Sequence, residues 1–377
     1  MSLTQPSTGI SPPGSELREL IASFFAAPTN DFCLLEGDAE EVLPLFPAGI
    51  VDACLTSPPY WAQRRYDSHS GLGTEVGWQD YVKRLVRIFR QVRRVLRPEG
   101  SLWLNLGDTY REKNLCGIPW RVAFALQEDG WRLRNAVIWD KLKGNPCNAT
   151  DKLRNVYEYV FHLVSQPAYL YDADAIRNEP GKPYRRNGRI VTPTGVSGSK
   201  YERQIRESPD LSEDERTAAL SALRAVLRRV ETGEIPDFRM IIRGCQRTTH
   251  SDSPEFSGRA QELHSKGFYI LPYHQKGTKP GDVWRIIPED EWRKDTHYAV
   301  FPLELCEIPI KATCPRRGVL LDPFAGTGSA IVAALALDRR GIGIDTSRTY
   351  LEEAGKRIHE AVERARLEQA NLRLFDL

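Results

Sequence analysis

The chain has 377 residues, with 52 Lys/Arg against 50 Asp/Glu and a formal net charge of +2. That length buries a large core as one big domain with an insertion or as two domains, and so small a net charge points to no partner. Seven cysteines without a CxxC pair argue against a disulfide framework or a zinc site, no apolar run is long enough to cross a bilayer, and no signal-peptide pattern opens the chain, so a reduced, cytoplasmic protein is expected.

Residues 1–14, rich in Ser, Thr, Pro and Gly, read as a disordered lead-in within an N-terminal extension of residues 1–30. Ser15–Phe25 has helical apolar spacing, with Ser15 as N-cap. Phe32–Leu35 is a short strand ending at Glu36-Gly37-Asp38, and Ala39–Leu45 a short helix. Ile50–Leu55 is an apolar run that reads as a buried strand. Directly after it come Thr56-Ser57-Pro58-Pro59-Tyr60-Trp61. The two prolines stiffen this turn and cannot donate a backbone N–H, so their carbonyls are expected to be free acceptors. A hydroxyl, rigid acceptors and the flat faces of Tyr60 and Trp61 suit the holding of a planar ring with an exocyclic amino group.

Asp80–Arg97 is a strong amphipathic helix whose arginines are expected to form a solvated face. A strand over Ser101–Leu106, a helix over Trp120–Glu128, and strands over Leu133–Trp139 and Val156–Val164 follow. Strands alternating with helices predict an α/β fold with a mostly parallel sheet.

The pattern then breaks. Between Gly181 and Arg285 stand 19 Lys/Arg and 13 Asp/Glu, so the excess positive charge sits in this segment. Gly181–Lys200 carries Lys182, Arg185, Arg186, Arg189 and Lys200 with no acidic residue, and reads as a mobile basic loop. Ser212-Glu213-Asp214-Glu215 is a capping-box signature opening a helix to about Val230. An irregular stretch is expected from there to about Pro280. Residues 181–280 are thus an insertion between 31–180 and 281–377.

The alternation resumes with a strand at Val283–Ile286, a helix over Leu303–Thr313 capped near Pro302, a strand over Gly318–Asp322, a helix over Ser329–Leu337, a strand over Gly341–Asp345 and a final helix from Arg348 to Leu367. Between strand and helix lie Asp322-Pro323-Phe324-Ala325-Gly326-Thr327-Gly328. Its glycines permit close backbone approach to a ligand, and the helix N-terminus adds donors. The next strand ends about twenty residues on in Asp345, an acid placed to bind two ribose hydroxyls. No GK[ST] follows, so this is not a P-loop.

The two stretches together resemble the amino-directed DNA methyltransferases that use S-adenosylmethionine. Their catalytic motif, (D/N/S)PP(Y/F/W), stands here as Ser57-Pro58-Pro59-Tyr60. Their cofactor motif, close to DPFxGxGT, stands as Asp322–Gly328 with Ser329 in place of the usual Thr. Catalytic motif first and cofactor motif last is the permuted order of the beta group. The resemblance covers roughly residues 31–180 and 281–360. It implies a Rossmann-like fold with a sheet of about seven strands, mixed but mainly parallel, and S-adenosylmethionine as cofactor. It assigns Asp38 to the cofactor adenine amino group. Thr296-His297-Tyr298-Ala299-Val300-Phe301-Pro302 is similar to the family segment that closes over the methionine end, with Tyr298 where Pro is usual, so Thr296, Phe301 and Pro302 join the cofactor set.

The implied chemistry agrees with the residues. An amine conjugated to its ring is a poor nucleophile. Hydrogen bonds accepted from it by Ser57 Oγ and the Pro58 carbonyl shift its nitrogen toward sp3 and free the lone pair for in-line attack on the donor methyl. No catalytic cysteine is needed, and Cys54 reads as strand packing. The base must leave the duplex, and Tyr60 would stack on it. In the resemblance, Ser at the first motif position goes mostly with N4 of cytosine and Asp with N6 of adenine. The expected function is therefore N4-cytosine methylation of double-stranded DNA, with N6-adenine methylation, RNA amino-methylation and an inactive DNA-binding protein as alternatives. The insertion falls where the family carries target recognition. There Arg185, Arg186, Arg189 and Lys200, with Trp61 beside the motif, are the expected DNA contacts. A cognate restriction endonuclease is an expected partner; oligomeric state is not legible.

Overall fold

The computed structural model describes residues 15–63, 71–143, 149–195, 198–245, 258–288 and 302–375. They form two compact units, one from residues 1–175 and 281–377 and the other from Ile176–Pro280.

The first unit opens with helix α1 (Ser15–Ala26), strand β1 (Phe32–Glu36), the short helix α2 (Ala39–Val42) and β2 (Val51–Thr56). Helix α3 (Trp78–Val95), β3 (Leu96–Leu106), the two-residue strands β4 (Tyr110–Arg111) and β5 (Asn114–Leu115), helix α4 (Ile118–Glu128), β6 (Arg132–Asp140) and β7 (Tyr157–Val164) follow. Although assigned to an extension by sequence, α1 buries Leu17, Ile21 and Phe24 in the main core. Helix α3 buries Tyr81, Leu85, Ile88, Phe89, Val92 and Val95, each contributing about 1.5–3 kcal/mol by removal from water. Its arginines are the solvated face expected only in part: Arg87 and Arg90 are exposed, but several are tied to the fold. Arg84 bridges Asp38 and Glu40 at 3.0 and 2.7 Å, Arg94 donates to the carbonyls of Phe46 and Leu43, and Arg90 pairs with Asp129.

The second unit holds the hairpin β8 (Tyr184–Arg186) and β9 (Arg189–Val191), helices α5 (Ser199–Glu207) and α6 (Glu213–Glu231), strand β10 (Phe238–Ile242), helix α7 (Gly258–Lys266) and strand β11 (Phe268–Pro272). The capping box is present: Ser212 Oγ accepts from Glu215 N, and the Glu215 carboxylate accepts from Ser212 N. Two sequence expectations are corrected here. The basic segment 181–200 contains a hairpin and the start of a helix, because the Asn187-Gly188 turn takes positive φ at both positions and pairs the flanking residues. The stretch expected to be irregular pairs β10 with β11, which bury Phe238, Met240, Ile242 and Tyr269.

The first unit then resumes with β12 (Val283–Arg285), α8 (Leu303–Thr313), β13 (Val319–Asp322), α9 (Ser329–Ala336), β14 (Arg340–Asp345) and α10 (Arg348–Phe375). Its sheet has eight strands in the order β1-β14-β13-β2-β3-β7-β6-β12. All neighbours are parallel except β7, which runs antiparallel to both β3 and β6. Side chains alternate between two apolar layers. Cys54, Leu102, Leu104 and Leu321 face the layer of α1, α3 and α4, whereas Ala53, Leu55, Trp103 and Leu320 face that of α8 and α9. Among the described residues no helix is long and apolar enough to cross a membrane.

Candidate active site

In this sheet β1, β14, β13, β2 and β3 all end on one edge, and the reversed β7 begins there. In open α/β sheets ligands bind outside the carboxyl ends of the strands. Both motifs lie on this edge, 266 residues apart in sequence, and they touch. Thr56 Oγ1, ending β2, donates to Asp322 Oδ1, ending β13, at 2.6 Å.

Asp322 is buried and turned inward. The same Oδ1 also accepts from Phe324 N at 3.0 Å, so this carboxyl, expected among the cofactor contacts, braces the loop through that oxygen. Burial raises its pKa to about 7, the hydrogen bonds from Thr56 and Phe324 pulling it down and the Asp345 charge pushing it up. The folded protein therefore keeps a proton that the unfolded chain, at 3.8, has released. The stabilisation linked to this proton is complete below the unfolded value and is lost as pH rises through about 7. Asp322→Asn is expected to flatten that part of the stability profile; urea unfolding across this range checks it, and an unaltered slope in the variant would refute the assignment.

After Asp322, Pro323 and Ala325 are buried and Phe324 packs against the main core. Gly326 and Gly328 both take positive φ, +50 and +77. Asp345 closes the turn, its Oδ2 accepting from Gly326 N and its Oδ1 from Ser347 N, each at 2.8 Å. Burial raises the Asp345 pKa. Arg357 of α10, which no sequence signal marked, donates to the Thr327 carbonyl and hydroxyl at 2.8 and 2.6 Å. Asp38, two residues past the neighbouring β1, is the N-cap of α2, accepting from Glu40 N at 2.9 Å while paired with Arg84. Gly37 N donates to Asp345 O at 2.9 Å, which ties these two acidic ends together. Pro302 is the buried N-cap residue of α8. Thr296 and Phe301 lie outside the described residues.

The Ser57–Tyr60 turn is pinned from several sides. Tyr81 donates its phenol to the Pro59 carbonyl at 2.8 Å, so one of the two carbonyls expected to be free is taken. None of the described residues donates to the Pro58 carbonyl. Trp61, expected to offer its face to DNA, is 4% exposed, and its indole N–H donates to Glu75 O at 2.9 Å. It is a core residue, held there by the apolar contacts of α3 and the 71–75 turn. Tyr60 is half-buried, and its phenol, raised well above its usual pKa by burial and by Glu158, donates to Glu158 Oε2 at 2.8 Å. Ser57 Oγ lies 3.2 Å from Tyr60 Oη. Asn105 Nδ2 reaches both Tyr60 Oη and Glu158 Oε2, at 3.0 and 2.7 Å, and Lys141 Nζ pairs with Glu158 Oε1. Sequence reading missed Glu158, Asn105 and Lys141. The signal available was a polar residue inside each apolar strand, Asn105 in Leu102–Leu106 and Glu158 in Val156–Val164. Cys54 is fully buried with its thiol pushed up by burial, as strand packing requires.

The expected DNA contacts of the second unit lie on β8, β9 and the first turn of α5. Arg185 and Arg186 are exposed, and Arg185 is paired with Glu231. Lys200 is exposed, and of Arg189 only the backbone, in β9, is described.

A family model for DNA methylases of the N6/N4 type matches residues 51–356. The chain is 30% identical to the Type II methyltransferase M.SfiI of Streptomyces fimbriatus, covering 93% of this chain and 96% of that protein. It is 27% identical to the Type II methyltransferase M.SmaI of Serratia marcescens, covering 86% and 90%. Among solved structures it resembles PvuII DNA methyltransferase (cytosine-N4-specific), at a TM-score of 0.54 and 14% identity over 87% of this chain and 86% of that one, a likeness of fold.

Proposed function

The chain belongs to the DNA methylase family that modifies amino groups, and from that premise we propose that it methylates N4 of cytosine in double-stranded DNA. Its methyl donor is S-adenosylmethionine, which when bound supplies a methyl group on an electrophilic sulfonium.

The residues present fit this donor. A side-chain atom added at Gly326 would meet nothing within 4 Å, so the turn opens onto free space. Asp345 ends β14 and Asp38 follows the end of the adjacent β1, and each carboxylate oxygen retains accepting capacity beyond its present hydrogen bonds. We assign the ribose hydroxyls to Asp345, the adenine amine to Asp38 and the close backbone approach to Ala325–Gly328. Asp322 and Arg357 hold that loop in shape. Pro302, with Thr296 and Phe301, is assigned to the methionine end.

We assign Ser57 Oγ and the Pro58 carbonyl as acceptors for the two hydrogens of the target amine. Accepting them draws the nitrogen lone pair out of conjugation, and holding it in line accounts for much of the rate. The base leaves the stack to reach them, at a few kcal/mol, which stacking on Tyr60 partly offsets. The unit Ile176–Pro280 is assigned to target recognition, with Arg185, Arg186, Arg189 and Lys200 toward phosphates. The kinship with Type II methyltransferases supports a partner endonuclease.

The observation that carries the choice of base is Ser57 itself, at the first position of the motif, where the family's serine enzymes mostly take cytosine. The family also contains adenine enzymes, and either amine fits two neutral acceptors. Nucleoside mass spectrometry of DNA treated with the protein and labelled donor is expected to find N4-methylcytosine. N6-methyladenine in its place would establish the second reading.

A further inference from the structure

Glu158 has no task in the chemistry just described, yet a hydrogen-bond cluster at the sheet edge is built on it. Its side chain is 13% exposed and accepts from three donors: Tyr60 and Asn105 on Oε2, and Lys141 on Oε1. The four residues of the cluster come from separate stretches. Tyr60 follows β2, Asn105 lies on β3 and Lys141 follows β6. Glu158 lies on the antiparallel β7, opposite Trp139. Gly107 makes room for it. A Cβ there would sit 2.6 Å from the Tyr60 ring and 3.4 Å from Glu158 Oε1.

The directions of these hydrogen bonds follow from the inventory of protons. A carboxylate only accepts, so Asn105 turns its amide nitrogen toward Glu158 and Tyr60 gives its single proton to Glu158. Burial and the Glu158 charge keep that phenol protonated. Tyr60 Oη is then left with lone pairs only. One receives Asn105 Nδ2 at 3.0 Å, and the other receives the Ser57 hydroxyl at 3.2 Å. Among the described residues Ser57 Oγ has no other hydrogen-bond partner. Its proton is thus directed at Tyr60, and its lone pairs remain for the target amine.

We propose that Glu158 is a positioning residue for methyl transfer: by drawing the Tyr60 proton to itself it forces Ser57 to act as an acceptor, not a donor, toward the target amine. A neutral amide at position 158 removes that constraint. Its NH2 can donate to Tyr60 Oη, the Tyr60 proton swings to Ser57 Oγ, and the Ser57 proton then faces the hydrogens of the target amine. Lys141 offsets the carboxylate charge, and Asn105 supplies the second donor that keeps Tyr60 from turning. The inference rests on the reading of Ser57 as the acceptor for that amine.

The test is single-turnover methylation of DNA from a host lacking the enzyme, with tritiated S-adenosylmethionine, alongside donor affinity and Tm. Glu158→Gln is expected to slow the reaction at least about tenfold while donor affinity stays within about threefold. Tyr60→Phe breaks the same chain, so the double variant should be slower than the slower single by no more than about threefold. A purely structural role would move Tm and donor affinity together and would let the two losses multiply. A Glu158→Gln rate within about threefold of wild type, or multiplicative losses, overturns the inference. If Glu158→Gln melts early because Lys141 loses its partner, Glu158→Gln/Lys141→Met removes the unpaired charge. The same rate loss in that variant supports the inference, and a wild-type rate overturns it. Ser57→Ala discriminates further: a wild-type rate there defeats the amine-acceptor reading itself, whereas loss there with an intact Glu158→Gln rate defeats only the role of Glu158.

Discussion

Ser57→Ala is expected to lower the methylation rate by about 10²–10³-fold, the usual cost of removing one hydrogen-bonding group aimed at the reacting centre. The reason lies in how little else Ser57 does. It is half-buried at the end of β2, and its one hydrogen bond among the described residues, to Tyr60, leaves Tyr60 still held by Asn105 and Glu158 when it is lost. The fold should therefore tolerate alanine, with Tm nearly unchanged. Donor affinity should also persist, because the glycine turn and its braces at Asp345 and Arg357 do not involve Ser57. The signature is a fall in kcat with the donor dissociation constant unmoved. Equilibrium binding beside a rate measurement reads both, and undiminished turnover would rule Ser57 out of the chemistry.

The second large effect is predicted for a pair of glycines two residues apart. Gly328→Val places a branched side chain at φ +77, with its Cβ 2.9 Å from Ala354 Cβ of α10. The left-handed backbone costs about 1–3 kcal/mol and the overpacking about 1–3 kcal/mol more, so a loss of about 2–6 kcal/mol in stability is expected. Gly326→Val differs in kind. Its φ is +50, but nothing stands within 4 Å, so only the backbone cost of about 1–3 kcal/mol applies. The side chain instead fills the space assigned to the donor, and donor binding should weaken more than stability does. Denaturant unfolding and donor titration of both variants separate the effects. Equal stability losses would show that the packing against Ala354 is not what makes Gly328 necessary.

The arginines of α3 show where a local reading of charge goes astray. A run such as Val82–Arg94 reads as an amphipathic helix with a wet face, and the helix and its buried stripe are as expected. The partners of the charges come from elsewhere: Asp38 and Glu40 from the end of β1 and α2, Asp129 from the end of α4. Trp61 teaches the same lesson from the apolar side. Next to a site motif an aromatic ring looks like a platform, but whether a turn points its ring outward or into the core depends on what packs beneath it. Here Glu75 O and the α3 layer claim it. The second unit was under-read for a related reason. The strands of its short β10–β11 pair are only five residues each and are separated by a helix, so their periodicity is too brief to stand out from a loop.

What the sequence determined by itself was whatever depends on neighbours along the chain. The strand-turn-helix form of Asp322–Gly328, the stiff Ser57–Tyr60 turn, the capping box at Ser212 and the alternation of strands and helices are of this kind, because turn chemistry and apolar period act over a few residues. The tertiary structure alone decided how those pieces meet. The sheet order sets β2 beside β13, so that Thr56 and Asp322 share a proton-bearing contact across 266 residues. The reversal of β7 brings Glu158 to the edge where the parallel strands end, beside a tyrosine 98 positions away. A carboxylate at that place is half-buried and surrounded by three donors, and these properties follow from the fold around it rather than from the residues next to it in the chain.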